Sequence, residues 1–370
     1  MRDGTPILIL DGGLGTSLED KYGVVFSEQT PLWSSHLLVA DQQKLLACQS
    51  DFAQAGADVL LTATYQASIE GFAATRTAEW PRGVSIANVG QFLEDAVLIA
   101  RQTGAPRVAL SLGPYGATMV PSTEYSARYD GEHDTADKLE DWHTQRFMLF
   151  AKVAGLLRVP DYLAFETIPR VDEILAIRRL LAAQSHLLTR FGEFSRTGMS
   201  AWISCVFPGD GETLPDGTSV EEVVVTALST EVASVVPWGI GINCTRVAKL
   251  PGLLRRFESA VQALVDAGGI VKWPSLVLCP DGTNGEVYNT ATKTWEFPEE
   301  EKTSRTPWQE QIFEAVKGTR ARGKWESILV GGCCKTTDSD IERLRWLVEE
   351  EVGGSNGTTE VEETASGSMA

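Results

Sequence analysis

Three cysteines that follow two apolar segments are the residues of this 370-residue chain best suited to chemistry. Cys244 ends the segment WGIGINC, and Cys333 and Cys334 end the segment SILVGGCC. Cysteine thiolates are preferred ligands of Zn²⁺, and a site with three protein ligands leaves a fourth position for a substrate. A thiol that coordinates zinc is deprotonated. We therefore predict a zinc site on these three residues that turns a small substrate thiol into a nucleophile.

The spacing of these cysteines is not by itself a zinc signature, because the chain has no Cys-x-x-Cys pair. Neighbouring side chains of a regular strand point to opposite faces, so Cys333 and Cys334 need a turn in the backbone to reach one ion. Gly331 and Gly332 supply the freedom for that turn and let other groups approach closely. A disulfide between adjacent residues would strain the backbone. Free cysteines are often only small buried hydrophobes, and we predict this for those inside helix or strand patterns, Cys48, Cys205 and Cys279.

Polar residues follow several other apolar segments and are candidates for substrate binding. Asp11, Thr62, Glu166 and Asn243 stand where such segments end. A buried carboxylate is costly without a partner, so Glu166 should meet a cation, either a substrate ammonium group or Arg170. For Asp11 the alternative is a helix cap. The four histidines, His36, His133, His143 and His186, fall outside the segment ends, and we expect them at the surface.

Eight short apolar segments must position these residues. Each is rich in β-branched residues and of a length that suits a strand buried on both faces of a parallel sheet. They are Ile7–Gly13, Asp58–Tyr65, Arg107–Pro114, Tyr162–Ile168, Ala201–Phe207, Trp238–Cys244, Ser275–Asp281 and Ser327–Cys333. Amphipathic helical patterns lie between them, among them Gln42–Ala55, Val89–Thr103, Val171–Ala183 and Ser219–Thr230. This alternation predicts one (β/α)₈ barrel; a doubly wound open sheet is the alternative.

Two longer segments interrupt the alternation after the third and seventh strands. They are Pro114–Trp142 and Pro280–Thr306. Segments that follow the strands of a barrel lie on its catalytic face, so we expect the first insert to cover the mouth. The barrel is predicted to span residues 1–350, and residues 351–370 have the composition of a disordered tail.

Composition excludes several classes of partner. The net charge of −18 argues against nucleic acid and anionic membranes, which require a basic face. The chain contains no stretch of 18 apolar residues that could span a membrane, and the N-terminus lacks the apolar region of a secretory signal. Six cysteines, two of them adjacent, do not resemble a disulfide framework. We therefore predict a cytoplasmic location; the sequence makes no prediction of the oligomeric state.

Six motifs make the chain resemble the homocysteine S-methyltransferase family over almost its entire predicted ordered length. They are LDGGLGTSLE, ADVLLTATYQAS, SLGPYGA, FETIP, GINCT and GGCCKTTDSDI. The resemblance implies a zinc-dependent barrel that transfers a methyl group from a sulfonium donor to L-homocysteine and forms methionine. It implies zinc on Cys244, Cys333 and Cys334.

The resemblance also implies that Asp11, Thr62 and Asn243 lie near homocysteine and that Glu166 accepts its ammonium group. Gln66 stands where betaine-dependent relatives have a tyrosine, which favours S-methylmethionine or S-adenosylmethionine as donor. Two alternatives remain open at this point. One is a methyltransferase for selenocysteine or another thiol, and the other is a non-enzymatic barrel that binds zinc or senses redox state.

Overall fold

Eight parallel strands form the centre of the computed structural model, which describes residues 4–27, 29–153, 160–190, 200–283, 286–289, 294–296 and 306–354. The strands are β1 (Ile7–Ile9), β2 (Val59–Leu61), β3 (Arg107–Leu112), β4 (Tyr162–Ile168), β5 (Ser200–Cys205), β6 (Gly239–Arg246), β7 (Ser275–Asp281) and β10 (Ile328–Val330). A separate antiparallel hairpin consists of β8 (Val287–Asn289) and β9 (Thr294–Glu296).

The strands close into a barrel. Their order is β1-β10-β7-β6-β5-β4-β3-β2, and every pair in this series is parallel. A parallel bridge between Leu10 and Val59 joins the two ends of the series, supported by a 2.7 Å hydrogen bond from the Asp58 N–H to the Ile9 carbonyl. The predicted (β/α)₈ barrel is confirmed, and all eight strands direct their carboxyl ends to one face.

Twelve helices surround the barrel in the part of the chain that the structure describes. They are α1 (Leu14–Asp20), α2 (Leu37–Ala40), α3 (Gln42–Gln54), α4 (Ile69–Ala74), α5 (Ile86–Gln102), α6 (Ala136–Lys152), α7 (Val171–Ala183), α8 (Ser185–Arg190), α9 (Val220–Leu228), α10 (Leu250–Asp266), α11 (Trp308–Arg322) and α12 (Asp338–Gly354). The predicted bounds of α7 are those observed. None of these described helices is both long and apolar enough to cross a lipid bilayer.

The barrel interior is filled by side chains of unequal size. Trp202 of β5 is fully buried there, and the nearby strands β3 and β4 contribute the small residues Ala109 and Ala164. Large and small residues interdigitate in this way when an interior reaches the density of a close-packed solid. A second, larger apolar layer lies between the outer surface of the barrel and the helices. The interior is therefore a packed core, and only its carboxyl-terminal end opens into a cavity.

The predicted strand bounds are too long where polar residues begin. The segment Ile7–Gly13 forms a strand only as far as Ile9, and the segment Ser327–Cys333 only from Ile328 to Val330. Beyond these points single hydrogen bonds to the neighbouring strands continue, for example from the Leu10 N–H to the Val330 carbonyl and from the Gly331 N–H to the Leu278 carbonyl, but the segments no longer form regular strands. At the other end of the chain, α12 continues to Gly354, four residues into the predicted tail; residues 355–370 lie outside the described residues.

The connection after β3 is held against the barrel by a buried carboxylate on α7. Glu173 accepts hydrogen bonds from the Tyr115 N–H at 2.7 Å and from the Tyr129 hydroxyl, and His143 Nε2 lies 2.9 Å from it. His143 is only 2% exposed, so the expectation of a surface position is wrong for this residue. The predicted insert Pro114–Trp142 ends inside α6, which begins at Ala136. Most of the predicted insert Pro280–Thr306 lies outside the described residues.

A buried arginine fixes the segment that follows β2. Arg146, on α6, is 3% exposed and donates hydrogen bonds to backbone carbonyls only. The acceptors are Thr64 O at 3.0 Å, Tyr65 O at 2.6 Å, Ala67 O at 2.8 Å and Gly113 O at 2.6 Å. One guanidinium group with its fixed fork of donors thus joins the carboxyl ends of β2 and β3.

We expect Arg146→Met to lower the free energy of unfolding by at least about 3 kcal/mol, because it removes the buried charged donor that four backbone carbonyls share. Chemical denaturation of the two proteins measures the difference. Arg179→Met is the matched control, since Arg179 makes its ion pairs with Asp137 and Glu140 at a position where its side chain is 40% exposed. The interpretation fails if the two variants lose similar amounts of stability.

Candidate active site and metal centre

A cavity opens at the carboxyl ends of the strands. Its volume is about 160 Å³, room for roughly ten water molecules or one small substrate. Every strand-end region that carries a predicted site residue contributes to its wall, together with α1 and the connection after β3. Six of the seven predicted site residues are in the lining: Thr62, Glu166, Asn243, Cys244, Cys333 and Cys334.

The three predicted metal ligands lie together. The sulfur atoms of Cys244, Cys333 and Cys334 are all within 4.8 Å of one another. Cys244 and Cys333 form a disulfide with a bond of 2.21 Å, and Cys334 is free. Two sulfurs that are bonded to each other cannot both act as thiolate ligands, so this pair must be reduced before it can hold a metal ion. The predicted buried cysteines Cys48, Cys205 and Cys279 are all buried and unbonded.

This sulfur cluster fits a zinc ion. In a tetrahedral site with Zn–S bonds of about 2.3 Å, the sulfurs lie roughly 3.8 Å apart. These three sulfurs are all within 4.8 Å of one another, so they could reach that spacing once the bonded pair is reduced. Three thiolates also provide the soft donor set that zinc prefers. With three ligands from the protein, a bound ion would keep a fourth position for a substrate, as in catalytic rather than structural zinc sites.

Left-handed backbone conformations aim side chains at the cavity. Cys244 has φ +46° and Thr167 has φ +60°, and both residues sit where the strand register shifts, between Asn243 and Arg246 and between Phe165 and Ile168. A β-branched residue such as threonine rarely adopts this conformation, which costs of order 1–3 kcal/mol. Strain of this kind is retained where the surrounding structure requires one direction for a side chain. No motif in the sequence reveals it.

The two glycines before Cys333 let neighbouring groups lie close to the backbone. A Cβ on Gly331 would lie 2.5 Å from the Asp11 carbonyl oxygen, and one on Gly332 would lie 2.3 Å from the Thr336 side chain. Neither glycine has a positive φ; in this segment that conformation occurs at Lys335, with φ +61°. The predicted turn is therefore present, but the two glycines admit neighbouring groups and the change of direction comes after Cys334.

Hydrogen-bond donors surround the sulfur of Cys244. Asn243 Nδ2 lies 3.5 Å from this sulfur and the Thr167 hydroxyl 3.7 Å from it. Asn243 is itself held at both ends, because its Oδ1 accepts from the Thr167 N–H at 2.8 Å and its Nδ2 donates to the Thr167 hydroxyl oxygen at 2.7 Å. Donors of this kind stabilise a thiolate. Thr167 was not singled out from the sequence, although it stands in FETIP one residue after Glu166.

The thiol of Cys334 is in a different environment. Burial raises the pKa of Cys334 to about 12, the charge of Asp281 adds to the rise, and a hydrogen bond with Tyr125 opposes it. A protonated thiol is a poor ligand, so a metal ion that binds here must displace its proton. Tyr125 belongs to the connection after β3 and was also not singled out from the sequence.

Glu166 lies in the cavity wall, and no described residue forms an ion pair with it. Its carboxylate accepts a 2.5 Å hydrogen bond from the Ser111 hydroxyl, and burial raises its pKa to about 7. Arg170 binds Asp134 and Asp172 instead, so it is not the predicted partner. Ser111 was missed by the sequence analysis, although it stands near the end of the third strand.

Thr62 contributes to the wall mainly as a support. Its hydroxyl oxygen accepts from the Ser111 N–H at 3.1 Å and lies 2.6 Å from the hydroxyl of Thr64. Since the Thr64 hydroxyl donates to the Ser111 carbonyl, the proton between the two threonines comes from Thr62. These bonds tie the end of β2 to the end of β3.

Asp11 lies behind the wall and is missing from the described residues that line the cavity. Its Oδ2 accepts a 2.8 Å hydrogen bond from the Leu61 N–H, and its Oδ1 is buried without a partner. Burial raises its pKa well above the usual range, and the nearby charge of Glu166 adds to the rise. The alternative of a helix cap is wrong, because α1 has Gly13 at its N-cap and no side-chain cap.

The cavity wall is acidic. Glu19, Glu124 and Glu166 line it, and no Lys, Arg or His occurs among its described lining residues. Burial raises the pKa of Glu124 to about 7, although hydrogen bonds from its own N–H and from Ser122 oppose the rise. Anionic groups at low dielectric favour a cationic ligand. The arrangement therefore combines a soft metal site with a cavity suited to positively charged molecules.

Residues 8–348 match the family model described as "Homocysteine S-methyltransferase". The chain belongs to the homocysteine S-methyltransferase family. It is similar to the Escherichia coli homocysteine S-methyltransferase, with 32% identity over 357 residues that cover 93% of this chain and 96% of the relative. It is also similar to homocysteine S-methyltransferase 1 of Brassica oleracea, with 30% identity over 91% of both chains. Family membership makes the chain an enzyme, which excludes the alternative of a non-enzymatic barrel.

Solved structures of one relative resemble this barrel. The metallated form of the E. coli homocysteine methyltransferase MmuM has 28% identity and a TM-score of 0.62, with 93% of this chain and 97% of that chain covered. Its oxidized form has 27% identity and a TM-score of 0.63, with coverage of 92% and 95%. That relative has thus been captured both with metal and in an oxidized state.

Proposed function

We propose that this homocysteine S-methyltransferase is zinc-dependent and takes its methyl group from a sulfonium, either S-methylmethionine or S-adenosylmethionine. The observation that carries the proposal is the convergence of three cysteine sulfurs within 4.8 Å at the wall of an acidic cavity. Cys244, Cys333 and Cys334 would hold the ion. When bound, zinc would keep the homocysteine thiol deprotonated near neutral pH and so make it a nucleophile.

The chain's own residues orient the acceptor. Glu166 would receive the ammonium group of homocysteine, because a cation that enters the cavity restores the ionised form of a carboxylate whose pKa burial has raised. Asn243 and Thr167 would hold the Cys244 sulfur in place through the donors described above. Thr62 and Asn243 line the same cavity and are proposed to contact the substrate. The contact predicted for Asp11 stays a prediction, since its carboxylate lies behind the wall.

The acidic wall favours a cationic methyl donor. Methyl transfer from a sulfonium to a thiolate breaks the donor's carbon–sulfur bond, leaves its electron pair on the donor sulfur and yields two neutral thioethers. The negative charge of the thiolate and the positive charge of the sulfonium therefore cancel during the reaction. Gln66, which we align with a tyrosine of betaine-dependent relatives, lines the cavity.

A methyl-transfer assay tests the donor. We expect reduced, zinc-loaded protein to form methionine from homocysteine with S-methylmethionine or S-adenosylmethionine, and to form none with betaine. Mass spectrometry with a labelled methyl group identifies the product. Transfer from betaine alone would overturn the sulfonium proposal.

Each proposed metal ligand is tested by substitution. We expect Cys244→Ala, Cys333→Ala and Cys334→Ala each to lose stoichiometric zinc and to lower activity by more than about 100-fold, since even indirect supports of a metal cost 10–100-fold. Atomic absorption measures the metal content and the assay above the activity. Cys48→Ala is the control, because Cys48 is buried in α3 away from the cavity lining. A variant that retains one zinc per chain rejects its residue as a ligand.

Glu166→Gln separates substrate binding from structure. We expect it to raise the KM for homocysteine by about 10- to 100-fold, because it removes a buried charge partner, and to change the KM for the donor little. Steady-state kinetics with each substrate varied in turn measures both constants. Arg170→Gln is the control, because Arg170 has no contact with Glu166. An unchanged KM for homocysteine would assign Glu166 a structural role.

A further inference from the structure

Glu124, in the connection after β3, is a buried carboxylate in the cavity wall that the proposed reaction does not yet use. The residue is 6% exposed, and its Oε2 is buried and has no hydrogen-bond partner among the residues that the structure describes. It lines the cavity next to Met119, Ser122 and Tyr125 of the same connection. A buried acceptor without a donor costs of order 1–3 kcal/mol, so a ligand that supplies a donor there binds with a corresponding gain.

The position of Glu124 differs from that of Glu166. The charge of Glu124 acts on Tyr65, Tyr125 and Cys334 and raises the pKa of each. Glu166 instead contacts Ser111, and its charge raises the pKa of Asp11 and Cys279. The two carboxylates belong to different elements, since Glu166 lies in β4 and Glu124 in the connection after β3, and the charge of each adds to the rise that burial causes in the pKa of Tyr65. The cavity offers two separate buried anions.

The third acidic residue of the wall is less suited to a ligand. Glu19 is only partly buried, and the charge of Lys335 opposes the rise that burial causes in its pKa. Among the described lining residues this leaves two deeply buried carboxylates without a cation, Glu124 and Glu166. The reaction proposed above brings together two amino acids, each with one ammonium group. The number of buried anions thus equals the number of ammonium groups.

The chemistry of Oε2 indicates which cation it accepts. A sulfonium carries no N–H or O–H and cannot satisfy a hydrogen-bond acceptor. An ammonium group has three donors and forms charge-assisted hydrogen bonds with a carboxylate. A sulfonium is instead attracted to the faces of aromatic rings by cation–π interaction. The cavity wall contains three aromatic residues, Trp33, Tyr65 and Tyr125.

We propose that Glu124 forms the binding subsite for the ammonium group of the methyl donor, and that it makes the enzyme select sulfonium donors that carry an amino group. The inference rests on the proposed function. It assigns the two substrates to different carboxylates, the acceptor to Glu166 and the donor to Glu124. Selection follows because a donor without an ammonium group leaves Oε2 buried and unpaired.

The test compares S-methylmethionine with its deamino analogue, dimethylsulfoniobutanoate, which keeps the same sulfonium and lacks the ammonium group. We expect Glu124→Gln to raise the KM for S-methylmethionine by about 10- to 100-fold and to change the KM for the analogue by less than about threefold. The KM for homocysteine should stay unchanged. Glu166→Gln is the matched control and should show the opposite pattern. We expect it to raise the KM for homocysteine and to leave the KM for both donors unchanged.

Three outcomes overturn the inference. If Glu124→Gln raises the KM for both donors equally, Glu124 does not bind the ammonium group. If it raises the KM for homocysteine, Glu124 binds the acceptor. An unchanged KM for S-methylmethionine would make Glu124 a structural residue. If the wild-type enzyme transfers no methyl group from either sulfonium, the proposed function itself fails, and wild-type activity therefore separates the two failures.

A second variant keeps the test decisive if Glu124→Gln does not fold. Glu124→Asp preserves the charge and shortens the side chain, so it moves the carboxylate away from its ligand. We expect this variant also to raise the KM for S-methylmethionine and to leave the KM for the analogue unchanged. Thermal denaturation of both variants shows whether the fold is intact, and equal changes for the two donors would again overturn the inference.

Discussion

The three sulfurs must meet although they come from strands that are not neighbours. Cys244 stands at the end of β6 and Cys333 follows β10, and β7 lies between these strands in the barrel. A parallel barrel brings all carboxyl ends to one rim, but strand geometry alone leaves side chains pointing in alternate directions. The left-handed conformation of Cys244 and the close approach allowed by Gly331 and Gly332 complete the convergence. The proposed binding of a metal ion depends on this backbone arrangement.

A second constraint is electrostatic. Asp11, Glu124 and Glu166 are buried near the cavity with no basic side chain among the described residues of its wall, and burial raises the pKa of all three. Such groups do not stabilise the folded protein, since they would be better solvated in the unfolded chain. These carboxylates lower the free energy of unfolding of the protein. A site that must accept cations requires them, so the protein trades stability for function here.

The connection after β3 is held by buried hydrogen bonds and also carries part of the cavity wall. Glu173 holds Tyr115 and Tyr129, and Arg146 holds the backbone of Thr64, Tyr65 and Gly113. These contacts lie outside the cavity, yet they fix the segment that carries Glu124 and Tyr125 into its wall. A wall built on buried hydrogen bonds positions a substrate more accurately than a free loop. The Glu173 and Arg146 contacts thus serve the chemistry indirectly.

The barrel, the convergence of the three cysteines and most of the cavity wall could be predicted from the sequence, because runs of apolar residues indicate burial and strand ends indicate which residues share a rim. It could not determine which carboxylates lack a partner. Arg170 follows Glu166 in the chain but binds Asp134 and Asp172, and Glu124 lies in an insert with no periodic pattern. The left-handed Thr167 and the burial of His143 were equally hidden. Pairing and backbone direction depend on contacts between residues far apart in the chain, and only the tertiary structure decides these.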